Sequence, residues 1–249
     1  MKDYAVITVR NSSTRLPNKA ILEVQPGLKT IEAVIERAKL SGFPVVLATS
    51  TDASDDVFES IAQKNGIQIF RGALLNKIQR WYDCFEKFGI ENGLLIDGDD
   101  LLYDFEIGKR AIAALKNSEA PMIKHPDNVM CGYFTYAVKK SALKEILKHT
   151  DSANTNTDVI TEFVKKSGIA IETLPLNDWE KDKPYRLTLD YIEDLEFFSQ
   201  TIAGTGIKAN GKTITEFLDQ HPEIVNINLH RQQDYLSNQK RFNEEVNQS

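Results

Sequence analysis

Arg10, Arg15 and Lys19 follow one another at spacings of five and four in the run Val9-Arg10-Asn11-Ser12-Ser13-Thr14-Arg15-Leu16-Pro17-Asn18-Lys19. Three cations beside hydroxyls and free backbone N–H groups suit an anion of several charges, such as a triphosphate. A solvated loop is the plain alternative. Against it, the loop leaves the first β-branched run directly, and the carboxyl ends of strands are where α/β proteins place ligands. No glycine occurs before Gly27, so the loop is neither a P-loop nor a GxGxxG dinucleotide turn. A second group is Leu94-Leu95-Ile96-Asp97-Gly98-Asp99-Asp100, an apolar run ending in three carboxylates around a glycine. Mg²⁺ is usually held by one or two protein carboxylates, with phosphate oxygens and water completing its octahedron. Asp-Gly is also common turn chemistry; the apolar strand that delivers these acids favours a metal. A third group, Arg186-Leu187-Thr188-Leu189-Asp190, reads as another β run ending in an acid. Asp194 and Glu196 then fall in the first turns of the next helix, where negative charge meets the positive end of the helix dipole.

Other chemistries lack their residues. His125, His149, His221 and His230 show no HxxxH or HExxH spacing, so a zinc hydrolase is unsupported. No GxSxG elbow exists, and Cys84, beside Phe85 and Phe88, reads as core. Trp81-Tyr82 and Phe197-Phe198 read as buried helix faces.

The elements that must position these residues alternate through the first half of the chain. Strands are expected over Tyr4–Val9, Val45–Thr49, Ile67–Phe70 and Leu94–Ile96, with helices over Thr30–Ser41, Asp55–Lys64, Lys77–Phe88 and Phe105–Lys116. In the first helix Ile31, Val34, Ile35 and Ala38 fall at i, i+3, i+4 and i+7, with Thr30 as N-cap and Gly42 as stop. This βα rhythm predicts a parallel sheet flanked by helices. Further on, Gly132–Val138 reads as a strand, Ser141–His149 and Asp158–Lys166 as helices, Ile169–Leu174 as a strand and Ile192–Ile202 as an acidic helix, which makes the sheet mixed. Residues 229–249 are rich in Asn, Gln and charge and read as a tail or a partner-seeking helix beyond a domain of residues 1–228.

The chain has 249 residues, 41% hydrophobic and 27% charged, enough for one core and too apolar for global disorder. A net charge of -6 excludes the broad basic face of a nucleic-acid binder. Two cysteines without CxxC spacing fit a reducing cytoplasm. The first residues lack the apolar run of a secretion signal, and no eighteen apolar residues follow one another, so a membrane span is not expected.

Together these segments resemble the cytidylyltransferases that activate acidic sugars, the spore-coat polysaccharide biosynthesis branch above all, related to the CMP-Kdo and CMP-sialate synthetases. Arg10-x-x-Ser13-x-Arg15-Leu16-Pro17-x-Lys19 resembles that family's N-terminal signature, whose cations hold the nucleoside triphosphate. Val45-Val46-Leu47-Ala48-Thr49 with Asp52 and Asp55-Asp56 resembles the second strand and its sequel near the base pocket. Ile69-Phe70-Arg71-Gly72 followed by Ile78-x-Arg80-Trp81-Tyr82 is similar to a further family motif. Gly98-Asp99 and Arg186-Leu187-Thr188-Leu189-Asp190-x-x-Glu193-Asp194-Leu195 resemble the segments carrying two metal-binding acids. The resemblance implies a Rossmann-like, mostly parallel mixed sheet of the nucleotide-diphospho-sugar transferase type. It implies Mg²⁺-dependent transfer of CMP from CTP to a small acidic sugar or phosphorylated acceptor, with Mg²⁺ on Asp99 and Asp190. Arg10, Ser13, Arg15 and Lys19 would bind phosphate, with Arg15 and Lys19 the catalytic cations; Thr49, Arg71 and Asp97 would serve base and ribose. A homodimer is the expectation from the same source. The departures gather on the acceptor half: Gly132-Tyr133-Phe134-Thr135-Tyr136 lacks the family's acid, and Thr157-Asp158-Val159-Ile160-Thr161 lacks its histidine. Asn18 replaces the family's glycine and tolerates a left-handed backbone. Two other readings stay open: a glycosyltransferase gripping a metal through Asp97-Gly98-Asp99, and a non-catalytic nucleotide-binding relative.

Overall fold

The structure is a computed structural model, and it describes residues 2–126, 130–181, 183–234 and 236–237. Strand β1 (Asp3–Thr8) leads through the cationic loop to a small hairpin, β2 (Glu23–Gln25) and β3 (Leu28–Lys29), and to helix α1 (Thr30–Lys39). The βα rhythm continues with β4 (Val45–Ser50), α2 (Val57–Lys64), β5 (Gln68–Gly72), α3 (Lys77–Phe88), β6 (Asn92–Asp97) and α4 (Phe105–Asn117). Then come β7 (Met122–Lys124), β8 (Tyr136–Lys139), α5 (Lys140–Leu147), α6 (Thr161–Ser167) and β9 (Ile171–Thr173). Helices α7 (Ile192–Thr205), α8 (Gly211–Gln220) and α9 (Pro222–Val225) complete the order.

Seven of the strands form one sheet in the order β5-β4-β1-β6-β8-β7-β9. Strands β1, β4, β5 and β6 run parallel, and β8 runs against both of its neighbours, β6 and β7. This is the mixed, mostly parallel sheet expected from the alternation. Side chains alternate between its faces: Ala5 and Ile7 of β1 join the core that holds α1, α4 and α7, whereas Val6 joins the core under α3, α5 and α6. Both faces are therefore dry, which is why the first strands read as continuous apolar runs rather than alternating ones.

Several elements differ from expectation. Arg186–Asp190 is irregular, with a bend at Thr188, and joins no strand; its Leu189 N–H is spent on the Asp99 carbonyl at 3.0 Å. Met130–Phe134 turns rather than pairs, and the strand shrinks to β8; Tyr133 instead gives its carbonyl to the Asp104 N–H at 2.8 Å and buries its ring. Helix α6 starts at Thr161, since the Asp158 carboxylate is taken by Arg10. Thr30 is the first helical residue rather than the cap; its Oγ1 donates to the Lys19 carbonyl at 2.5 Å and so ties α1 to the cationic loop. The tail does not begin freely at residue 229. Asn228 is fully buried, Leu229–Arg231 forms a 3-10 turn, and helical residues follow; residues 238–249 lie outside the described residues.

Candidate active site

The chain runs from β1 to β4 and β5 on one side while β6 pairs on the other, so a crevice opens beyond the carboxyl ends of β1 and β6. Register puts Thr8 beside Asp97, which brings the cationic loop and the acidic turn together. Gly98 makes this approach possible: its N–H donates to the Thr8 carbonyl at 2.8 Å, and a Cβ there would stand 2.8 Å from that oxygen. A cavity of about 830 Å³ fills the crevice, and Arg10, Ser13, Arg15, Lys19, Asp97, Asp99 and Asp190 all line it.

Lys19 is the centre. Its ammonium donates to Asp99 Oδ2 at 2.8 Å, to the Leu189 carbonyl at 2.7 Å and to Asp190 Oδ1 at 3.1 Å. Burial alone would lower the Lys19 pKa, but Asp99 and Asp190 outweigh it and hold the group above its ordinary range. Asn18, left-handed at φ 58°, makes the bend that starts the turn carrying Lys19. Arg15 donates to the same Asp190 oxygen at 2.5 Å. Burial would raise Asp190, yet Lys19 and then Arg15 hold it down at about 2, so it is a carboxylate at any neutral pH.

The segment bearing Asp190 is itself held from behind. Asp194, wholly buried, accepts from the Asp190 and Tyr191 N–H groups at 2.8 and 2.9 Å and from the Arg186 guanidinium at 2.9 Å. It stands in the first turn of α7, as expected, and from there it also serves as a buried hub. Gly132, at φ 91°, packs against this segment so closely that a Cβ would meet the Leu187 carbonyl at 2.1 Å.

Arg10 belongs to a different group from Arg15 and Lys19. It grips Asp158 at 2.6 and 2.7 Å and the Leu74 carbonyl at 2.9 Å. Arg80 donates to that same carbonyl at 3.2 Å, and burial followed by the Arg10 charge pushes its pKa down to about 10. Its Nε is buried without a partner. Lys77, from the first turn of α3, faces Asp97 at 3.6 Å and stacks on Trp81 at 5.1 Å. The Asn76 side chain caps that turn by accepting from the Gln79 N–H, which aims Lys77 and Arg80 at the cavity they line. These three residues, Lys77, Arg80 and Asp158, were not singled out by sequence reasoning as site residues. The signal was the cation pair at i, i+3 just after the Arg71-Gly72 strand end. Desolvation in the crevice floor, opposed by Lys77, raises Asp97, and burial with the neighbouring Asp99 charge raises Asp100 further.

Two expected base-site residues lie elsewhere. Thr49 is fully buried and donates to the Val9 carbonyl and to Asp55 Oδ2, both at 2.9 Å. Arg71 spans Asp56, Glu59 and the Ser50 carbonyl, clipping β5 to α2. Neither lines the cavity.

A divalent cation fits the acids present. Asp99 and Asp190 already converge on one positive charge at 2.8 and 3.1 Å. Among the described residues no group of three or more His, Cys, Asp or Glu side chains forms an all-protein cage. A two-carboxylate site completed by phosphate and water is the arrangement Mg²⁺ favours.

The cytidylyltransferase family matches residues 4–242, nearly the whole chain. The chain belongs to the cytidylyltransferase family. This cytidylyltransferase is 25% identical to the solved structure of a cytidylyltransferase from Leptospira borgpetersenii, covering 90% of this chain and 97% of that one with a TM-score of 0.82. It is 23% identical over 232 residues to the spore coat polysaccharide biosynthesis protein SpsF of Bacillus subtilis, covering 88% of this chain and 95% of SpsF. The fold recurs in a CMP:2-keto-3-deoxy-manno-octonic acid synthetase solved with CTP, at 18% identity and a TM-score of 0.64 over 82% of this chain and 99% of that chain. Nucleotidyl transfer is accordingly the activity of the family, which displaces the glycosyltransferase reading.

Proposed function

We propose that this enzyme transfers CMP from CTP to an acidic or phosphorylated sugar in a Mg²⁺-dependent reaction, in the service of surface polysaccharide synthesis. The observation that carries the reading is the meeting of Lys19 with Asp99 and Asp190 at the mouth of β1 and β6. An acceptor oxygen attacks the α-phosphorus in line, the bond to the α,β-bridging oxygen breaks, and pyrophosphate leaves. Arg15 and Lys19 neutralise the charge that builds on pyrophosphate, and fixed cations in an enclosed site do so without reorganising. The Ser13 hydroxyl donates to a phosphate oxygen. Arg10 and Arg80, held together around the Leu74 carbonyl, serve the nucleoside end of the cavity. Asp99 and Asp190 are the residues that would hold Mg²⁺. The chemistry a bound Mg²⁺ supplies is neutralisation of phosphate charge and alignment of the acceptor oxygen.

The acceptor half is lined by Gly132, Phe134, Thr135, Tyr136 and Thr161, which offer hydroxyls and apolar faces to a sugar ring. SpsF is named for spore-coat polysaccharide, and that name is the support for a sugar acceptor. Among the described residues no helix is long and apolar enough to cross a membrane. A cytoplasmic homodimer completes the proposal. Its test is pyrophosphate release from each of the four nucleoside triphosphates across a panel of ulosonic acids, sugar phosphates and phosphonates. The expected result is release from CTP with a subset of these acceptors; release that is equal for all four nucleotides, or absent throughout, would overturn the reading.

A further inference from the structure

Tyr191 occupies a position that neither the phosphate loop nor the acidic turn accounts for. Among the described residues three arginines lie against its ring: Arg231 at 4.8 Å from the centroid, Arg186 at 5.4 Å and Arg15 at 5.9 Å. Three guanidinium groups repel one another unless each is compensated, and each is. Arg186 is paired with Asp190 and Asp194, Arg231 with Glu193 and Asp234, and Arg15 with Asp190. The Tyr191 backbone is fixed by its N–H bond to Asp194 Oδ2 at 2.9 Å, so the ring is mounted on the buried hub rather than on the cationic loop. The cationic loop lacks regular structure from Val9 to Asn18, and Arg15 keeps 40% of its side chain exposed.

We propose that Tyr191 is a positioning residue for Arg15: its ring face holds the guanidinium at the phosphate end of the cavity, and Arg231 of the C-terminal segment steadies the ring. This rests on the reading above that Arg15 serves the pyrophosphate group. On that reading Asp190 is committed to Mg²⁺ in the loaded enzyme, and the ring is the contact that still holds Arg15 when Asp190 no longer does. An arginine over a tyrosine face gains from the ring quadrupole, and the guanidinium stays flat and free to present its N–H edge to phosphate. The same segment lends Gln232 and Leu236 to the cavity wall, so the chain that steadies the ring also borders the site.

The test uses the full-length protein with inorganic pyrophosphate, CTP and the other three nucleoside triphosphates as probes, each with Mg²⁺, measured by calorimetry. Tyr191→Phe keeps the ring and should bind pyrophosphate as wild type does, whereas Tyr191→Leu should bind it about three- to tenfold more weakly. In an Arg15→Ala background the same Tyr191→Leu change should cost nothing further, because the group it positions is gone. Arg231→Gln should weaken binding in the same direction by a smaller factor. Thermal unfolding of the Phe and Leu variants identifies any general loss of structure. Equal pyrophosphate binding by wild type and Tyr191→Leu, or full additivity with Arg15→Ala, would overturn the proposal. The outcome for the parent reading is separate: pyrophosphate binding that depends on Tyr191 while CTP binds no better than the other nucleotides would sink the nucleotide assignment and leave the positioning role standing.

Discussion

Lys19, Asp99 and Asp190, which the structure brings together, stood out in the sequence because their types and settings were unusual: cations directly after a strand, and acids at the end of apolar runs. Thr49 and Arg71, chosen by the same logic, do not line the crevice, and a polar residue at a strand end can equally be structural. Thr49 bonds Val9 and Asp55, and Arg71 bonds the start of α2. Nothing in their spacing distinguishes those partners from a ligand. Thr49→Val should therefore destabilise the fold by about 1–3 kcal/mol through the buried Val9 carbonyl bond it removes, and Arg71→Ala by about 1 kcal/mol or less, with CTP affinity unchanged in both. Chemical denaturation and calorimetry on the two variants check this; a large loss of CTP affinity would return these residues to the base pocket. Asp190 carries a pH consequence. Its folded pKa, about 2, lies below its ordinary value of 3.8, so the stabilisation it contributes is present above about pH 4 and is lost as pH falls from there toward 2. An acid-unfolding curve of Asp190→Asn should be flatter than that of wild type across this window; identical curves would contradict the assignment.

At the scale of elements, the βα half was readable because buried parallel strands and amphipathic helices leave strong periodic signals. The Arg186–Asp190 segment was not, because an apolar, β-branched run held by single contacts looks in sequence like a strand. Its Leu189 N–H goes to the Asp99 carbonyl and its Asp190 N–H to the Asp194 side chain, neither of which is a ladder partner. Helix α8 carried a signal that was passed over, an Asn210 cap followed by Ile214, Phe217 and Leu218 at i, i+3 and i+4, whereas the short hairpin of β2 and β3 carried none that separates it from loop. Gly98 and Gly132 show how elements are brought within bonding distance: each faces a backbone carbonyl where a methyl group does not fit. Gly98→Ala must push the acidic turn away from β1, and we expect a loss of about 1–3 kcal/mol together with weaker Mg²⁺-dependent CTP binding. Wild-type stability and affinity in that variant would show that the turn's closeness to β1 is incidental.

The whole molecule is acidic, yet Arg10, Arg15, Lys19, Lys77 and Arg80 all line one crevice. A net charge of -6 excludes a polyanion track but leaves room for a site in which carboxylates and phosphates coexist through a divalent ion. The boundary at residue 228 was drawn on composition alone, and composition does not register a buried anchor such as Asn228, whose amide donates to the Arg186 carbonyl and to Asp194 at 2.9 Å each. Gln232 and Leu236, beyond that anchor, line the site's cavity. The central claim is that Asp99 and Asp190 hold a metal against the triphosphate that Arg15 and Lys19 neutralise. Its most direct measurement is pyrophosphate release from CTP by wild type and Asp99→Asn, with an active acceptor from the panel, in Mg²⁺ and in EDTA. We expect release only from wild type in Mg²⁺, with both proteins unfolding at similar temperatures. Release by wild type in EDTA, or by Asp99→Asn at the wild-type rate, would contradict the account.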